Sequence, residues 1–152
     1  MRSVTKLSVV ENVLLINLPK APSSVDFLGR VLNVVAENGI CVDMIALSPS
    51  FYEQSNLSFT ILDNDMAKLL NVLSEVLPDG IVPLLTAGNA KITLFGEEMQ
   101  YTPGVAARAM KTLSLKDIEI NLITTSDFDI SILVDYNSLD DAITVLNREF
   151  SL

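Results

Sequence analysis

Two turns carry the residue types and spacing that could do chemistry, and that chemistry is the holding of a small zwitterion rather than bond-making. One is Gly96-Glu-Glu-Met-Gln-Tyr-Thr-Pro-Gly-Val-Ala-Ala107, where Pro103 and Gly104 stand at the start of a helical pattern. Proline suits the first helical turn because its missing N–H costs nothing there. Glycine lets a ligand come close to the backbone, and the free N–H groups and dipole at a helix start favour a carboxylate. The other turn is Leu18-Pro-Lys-Ala-Pro-Ser-Ser-Val-Asp-Phe27, where Ser23 or Ser24 is a plausible N-cap but Phe27 stands where a capping box wants Glu or Gln. An ordinary helix start is the plainer reading of either spacing.

Two polar residues interrupt apolar strand-like runs at corresponding places: Asp43 and Asn121. A bare carboxylate on a buried strand is costly unless paired. The amino group of a small ligand would pair with Asp43, and the Asn121 amide could donate and accept; exposure to water on an edge strand explains both equally. Thr124, Thr125 and Ser126 suit a strand and a solvated edge alike. Arg30 and Arg108 are expected on solvated helix faces. The acidic groups Glu97-Glu98, Asp127/Asp129 and Asp140-Asp141 lack partners at defined spacing and read as solvated surface.

The chain has no histidine, which removes His-based triads, most transition-metal sites and the commonest general base. No GxxxxGK[ST] or GxGxxG loop is present, so no nucleotide site, cofactor or metal is expected, and no catalysis. Cys41 is the single cysteine, which excludes an internal disulfide framework and suits a reducing cytoplasm. Its apolar surroundings predict a buried, inert thiol. A net charge of −9 repels phosphate backbones, so nucleic-acid binding by a basic face is excluded. The longest apolar runs fall far short of the roughly 20 residues that span a bilayer, and the N-terminus has no apolar signal core. With 49% hydrophobic residues the 152-residue chain has ample material for a core.

The elements that must position these residues are duplicated. Ile40–Ser48 matches Ile118–Ser126 at an offset of 78, and Leu57–Ile61 matches Ile130–Val134 at an offset of 73. The first copy therefore has a hairpin loop five residues longer. Each copy reads as strand (Val13–Leu18; Lys91–Phe95), helix (Val25, Leu28, Leu32, Val35; Val105, Ala109, Met110, Leu113), hairpin and second helix. Gly39 marks the end of the first helix; Lys116-Asp117 takes that place in the second copy. The second helices are expected to be capped by Asn64 or Asp65 and by Asn137 or Ser138.

This order is one strand short of the ferredoxin-like β-α-β-β-α-β unit. Ile81–Leu85 supplies the last strand of the first copy, whereas nothing remains after the second. Val4–Val10 is inferred to complete the second, so that the first module is nested in it. The expected class is α+β, with antiparallel sheets and helices on one face. The expected boundaries are residues 12–86 for the first module and residues 3–11 with 87–152 for the second.

Asn89-Ala-Lys-Ile-Thr-Leu-Phe-Gly96, Met99, Pro103-Gly-Val-Ala-Ala-Arg108, Ile120–Ser126 and Ile130–Asp135 resemble the second ACT module of aspartate kinases. Val42-Asp-Met-Ile45 with Leu57-Ser-Phe-Thr60 is similar to the first. The resemblance covers nearly the whole chain. It implies a regulatory region without the catalytic domain, which binds lysine or threonine as feedback inhibitor, dimerises through its ACT modules and acts on an aspartate kinase catalytic domain or subunit. Carried over, the first effector loop falls on Ser23, Ser24, Phe27 and Leu28, with Val42 and Asp43 on the following strand. In the second module the positions are Met99, Pro103, Gly104, Val105, Ala106, Asn121, Thr124, Thr125 and Ser126. The first loop departs from the family's Asp-x-Pro-Gly, reading Lys20-Ala-Pro-Ser-Ser, and Ala46-Leu-Ser48 stands where lysine-sensitive members have Thr-Thr-Ser. A structural dimerisation module without effector is the other reading.

Overall fold

The computed structural model describes residues 2–152. They form six strands and four helices: β1 (Lys6–Pro22), α1 (Val25–Glu37), β2 (Ile45–Leu47), β3 (Gln54–Leu62), α2 (Met66–Val76), β4 (Leu84–Phe95), α3 (Val105–Ser114), β5 (Leu122–Thr125), β6 (Asp129–Asp135) and α4 (Leu139–Phe150). All the registered strand pairs are antiparallel. The fold is the expected α+β pair of ferredoxin-like modules, the first nested in the second. The chain divides into two compact units, one of residues Asn12–Ala87 and one of Gly88–Leu152 with the N-terminal residues up to Glu11. Among the described residues, no helix is long and apolar enough to cross a membrane.

In the Asn12–Ala87 unit β3 lies between β2 and β1, with Leu14 opposite Ile61 and Ile16 opposite Phe59. Alternation sends Leu14, Ile16 and Leu18 of β1 and Leu57, Phe59 and Ile61 of β3 into one core. The helices α1 and α2 cover it with Phe27, Val31 and Val35 and with Leu69, Val72 and Leu73. Burying a side chain such as Phe27 contributes about 1.5–3 kcal/mol. The expected stripe on α1 is off by part of a turn: Phe27 and Val31 face inward, Val25 is 82% exposed, and Leu28 and Leu32 are half-buried. Phe27, Val31 and Val35 stand at i, i+4, i+8, which puts them on one side of the helix, whereas Val25 belongs to its first turn.

In the other unit the strand order is β1-β4-β6-β5. Val4, Ala90, Ile92, Leu94, Ile130, Ile132 and Val134 meet Val105, Ala109 and Leu113 of α3 and Leu139, Ala142, Leu146 and Phe150 of α4. The N-terminal segment runs beside β4, where the Thr5 N–H donates to the Phe95 carbonyl at 2.8 Å.

Four expected strands are in fact two. Val4–Val10 and Val13–Leu18 merge in β1, and Lys91–Phe95 extends back to Leu84 in β4. The polar stretches that read as breaks each contain one residue of positive φ, Asn12 (57°) and Gly88 (72°), and a strand can absorb a single such residue. Strand β4 starts only at Leu84, because Pro83 has no N–H to give a ladder.

Helix ends follow the repeat even where the residues differ. After α1, Gly39 (φ 71°) and Ile40 donate to Ala36 and Val35. After α3, Asp117 (φ 51°) and Ile118 donate to Ser114 and Leu113, an aspartate doing what glycine does in the first copy. The starts of α2 and α4 differ from expectation. Asp65 and Ser138 hold the cap positions without a side-chain bond to the helix backbone, because each helix grows out of a 3-10 turn, Asp63–Asp65 or Tyr136–Ser138. Arg30 lies in solvent beside Asp26 as expected. Arg108 is exposed as expected too, but it is also engaged: its guanidinium donates to the Glu149 carboxylate (2.8 Å) and carbonyl (3.2 Å) and lies 4.8 Å over the Phe150 ring, tying α3 to the end of α4. Cys41 is exposed and outside any strand, because edge strand β2 is only three residues long and begins at Ile45.

Candidate ligand-binding site

In the unit of Gly88–Leu152, strand β4 ends at Phe95 and the chain turns through a 3-10 segment, Glu97–Tyr101. The turn is pinned from within: Thr102 Oγ1 donates to the Glu98 carbonyl at 2.8 Å, and Gln100 Nε2 donates to the Glu97 carbonyl at 3.1 Å. Exposed Pro103 and then Gly104, left-handed at φ 89°, lead into α3. No side chain caps this helix. Its first backbone bond runs from Arg108 N–H to the Gly104 carbonyl, so the N–H groups of Val105, Ala106 and Ala107 precede the helical ladder.

The β5–β6 hairpin faces this helix start. Ser126 Oγ donates to Asp129 Oδ2 at 2.6 Å and accepts from the N–H groups of Phe128 and Asp129, so its hydroxyl organises the turn. Between helix start and hairpin lies a cleft of about 250 Å³. Met99, Gly104, Val105, Ala106, Thr125 and Ser126, six of the nine positions marked in this module, line it. Gln100, Thr102, Asp127 and Ile130 line it too, and the sequence did not single them out for a site. Asp127 read as surface because a carboxylate in a turn has no periodic signal; only the hairpin register brings it to the helix start.

The remaining positions of this module sit elsewhere. Pro103 is exposed, and Thr124 is half-buried on β5 opposite Ser131. Asn121 lies just before β5, where its N–H donates to the Leu133 carbonyl and its Nδ2 to Asn89 Oδ1.

In the Asn12–Ala87 unit the marked residues are more engaged with the fold. Ser24 is the N-cap of α1, its Oγ accepting from the Phe27 N–H at 3.2 Å. The Ser23 N–H donates to the Glu53 carbonyl, so the long hairpin reaches the loop before α1. Phe27 is buried in the core, and Leu28 and Val42 pack against it half-buried. Asp43 is exposed, with its N–H on the Thr60 carbonyl, as the Asn121 N–H is on that of Leu133. Like Asn121, it precedes its edge strand rather than lying in it. The two helix starts therefore differ: one is closed by its own serine, the other has no side-chain cap and opens on a cleft.

Residues 92–150 match the family model of the ACT domain. The chain is 31% identical over 135 residues to an aspartokinase of Bacillus sp. (strain MGA3), across 86% of this chain and 32% of that protein. It thus spans about a third of the length of the curated relatives it matches. Among solved structures it is similar to a chain of aspartokinase alpha and beta subunits (30% identity, TM-score 0.88, 98% of this chain and 99% of that one). It is also similar to the ligand-free regulatory subunit of aspartate kinase from Thermus thermophilus (25% identity, TM-score 0.90, with the same coverage).

Proposed function

This chain belongs to the aspartokinase family, as its ACT-type regulatory region, and from that premise we propose that it senses a free amino acid, lysine or threonine, in the cleft at the start of α3. The single observation behind this reading is the meeting of an uncapped helix start with a carboxylate. The N–H groups of Val105–Ala107 suit the ligand's carboxylate, Asp127 suits its ammonium, and Met99, Val105 and Ile130 offer apolar surface to its side chain. The loop of the first unit is a second candidate, with Asp43 as the partner of the amino group; Ser24 already satisfies one of the N–H groups there. Occupancy acts on an aspartate kinase catalytic domain or subunit by favouring the arrangement of the regulatory region that binds ligand better. Exposed Ile45 and Leu47 on β2 and Ile123 on β5 suit self-association of two copies through edge strands.

Calorimetric titration of lysine, threonine and methionine tests the reading, with Asp127→Asn and Asp43→Ala beside the unaltered chain. Saturable binding of one amino acid that Asp127→Asn weakens about tenfold or more is expected, since a charge-assisted contact contributes about 1.5–3 kcal/mol. Loss in Asp43→Ala instead moves the site to the first unit. A folded chain that binds none of the three is a structural dimerisation module, and the sensor reading fails.

A further inference from the structure

The duplication supplies an internal comparison at the two helix starts. Arg30 and Arg108 occupy the same repeat position at the offset of 78. Their side chains do different things. Among the described residues Arg30 pairs only with Asp26 of its own helix, at 3.2 Å and largely in solvent. Arg108 crosses to α4, where its Nε donates to the Glu149 carboxylate, an Nη donates to the Glu149 carbonyl, and the guanidinium lies over the Phe150 ring. The partners explain the difference. At the offset of 73 the counterparts of Glu149 and Phe150 are Val76 and Leu77, which have neither a carboxylate nor a ring to offer.

This clamp belongs to the copy whose helix start is open. In the first copy the Ser24 hydroxyl caps α1. In the second, no side chain caps α3, and Gly104 before it is left-handed. A helix end without a cap frays, because its first N–H groups have no partner in the ladder. Of the first turn only Val105 is buried; Ala106 is half-buried and Ala107 exposed. Arg108 follows directly, and its own N–H makes the first bond of the helix, to the Gly104 carbonyl. Fastening its side chain to the end of α4 therefore restrains the turn that lines the cleft. A planar guanidinium, which bonds and stacks at once, suits this better than a flexible ammonium.

We infer that Arg108 is a positioning residue for the α3 cleft: it holds the uncapped helix start in the form that binds ligand, without touching the ligand itself. Arg108 does not line the cleft, and neither do Glu149 and Phe150. The inference rests on amino-acid binding at that cleft and adds how the site is regulated. Coupling between two places is reciprocal. Whatever loosens Glu149 or Phe150 weakens the ligand, and an occupied cleft tightens the end of α4. That end lines a cavity of about 300 Å³ together with Arg2, Ser3 and Val4. Occupancy is thus passed from the cleft to the place where residues 2–4 and 149–151 meet.

The test combines calorimetric titration of threonine and lysine with hydrogen exchange of the whole chain, for the parent, Arg108→Gln, Arg108→Lys and Arg30→Gln. Arg108→Gln is expected to weaken binding about fivefold, as for loss of one exposed ion pair and its stacked ring. Arg30→Gln leaves binding unchanged. Arg108→Lys, which keeps a charge beside Glu149, has an intermediate affinity. In the free chain Arg108→Gln speeds exchange at the Ala109 amide. The amino acid that binds slows exchange at the Ser151 amide, which bonds to the Asn147 carbonyl, in the parent and not in Arg108→Gln. A merely structural tie lowers the melting temperature but moves neither affinity nor this ligand-dependent protection. The inference is overturned if Arg108→Gln binds as tightly as the parent, if Arg30→Gln weakens binding as much, or if Ser151 is protected equally in both. A parent chain that binds neither amino acid overturns the sensor reading and this inference with it. Unchanged Ala109 exchange in the free Arg108→Gln variant overturns this inference alone.

Discussion

The side-chain amide of Asn121 donates to Asn89 Oδ1 at 2.8 Å, bridging the two flanks of β6. Asn89 lies on β4 opposite Asp135 and is 1% exposed, while the Asn121 backbone N–H is held by Leu133 from the far side of the same strand. One hydrogen bond thus ties together segments that the sheet separates by a strand. Asn121→Ala is expected to cost about 1 kcal/mol, a fall of about 2–4 °C in melting temperature for a chain of this size. A double-mutant cycle with Asn89→Ala gives a coupling energy of about 1 kcal/mol. A coupling indistinguishable from zero means that the two amides act independently.

Gly96 follows β4 in extended backbone (φ −173°), where any residue fits. A Cβ there would nonetheless run into the backbone carbonyl of Ser3. Gly96→Ala therefore has to push the N-terminal segment away, at about 1–3 kcal/mol. Faster hydrogen exchange at the Thr5 amide, which bonds to Phe95, is the specific sign. Unchanged exchange with unchanged stability would show that the segment yields freely.

Ser24→Ala removes the side-chain cap of α1 and should cost about 1 kcal/mol in denaturant unfolding, with Ser24→Asp retaining most of the stability. The same pair also reads on the sensor. If the first loop is no binding site, neither variant alters amino-acid affinity. If it is one, Ser24→Ala changes affinity as well as stability.

By itself the sequence determined the duplication, the fold class, the nesting of one module in the other and the existence of two loops at helix starts. Those features rest on apolar periodicity and on local turn chemistry, both written residue by residue. The resemblance to the second ACT module also marked six of the positions that line the α3 cleft, since a helix start and the strand beside it are local features that a motif carries. Only the tertiary structure decided that Asp127 joins them, that Ser24 closes its own helix while α3 goes without a side-chain cap, and that exposed Arg108 holds Glu149. Each depends on hairpin register or on contacts across many residues, where a side chain's type carries no signal of its neighbour. The merged strands have the same cause: Asn12 and Gly88 are turn residues by local preference, and long-range pairing turned them into single kinks in continuous strands.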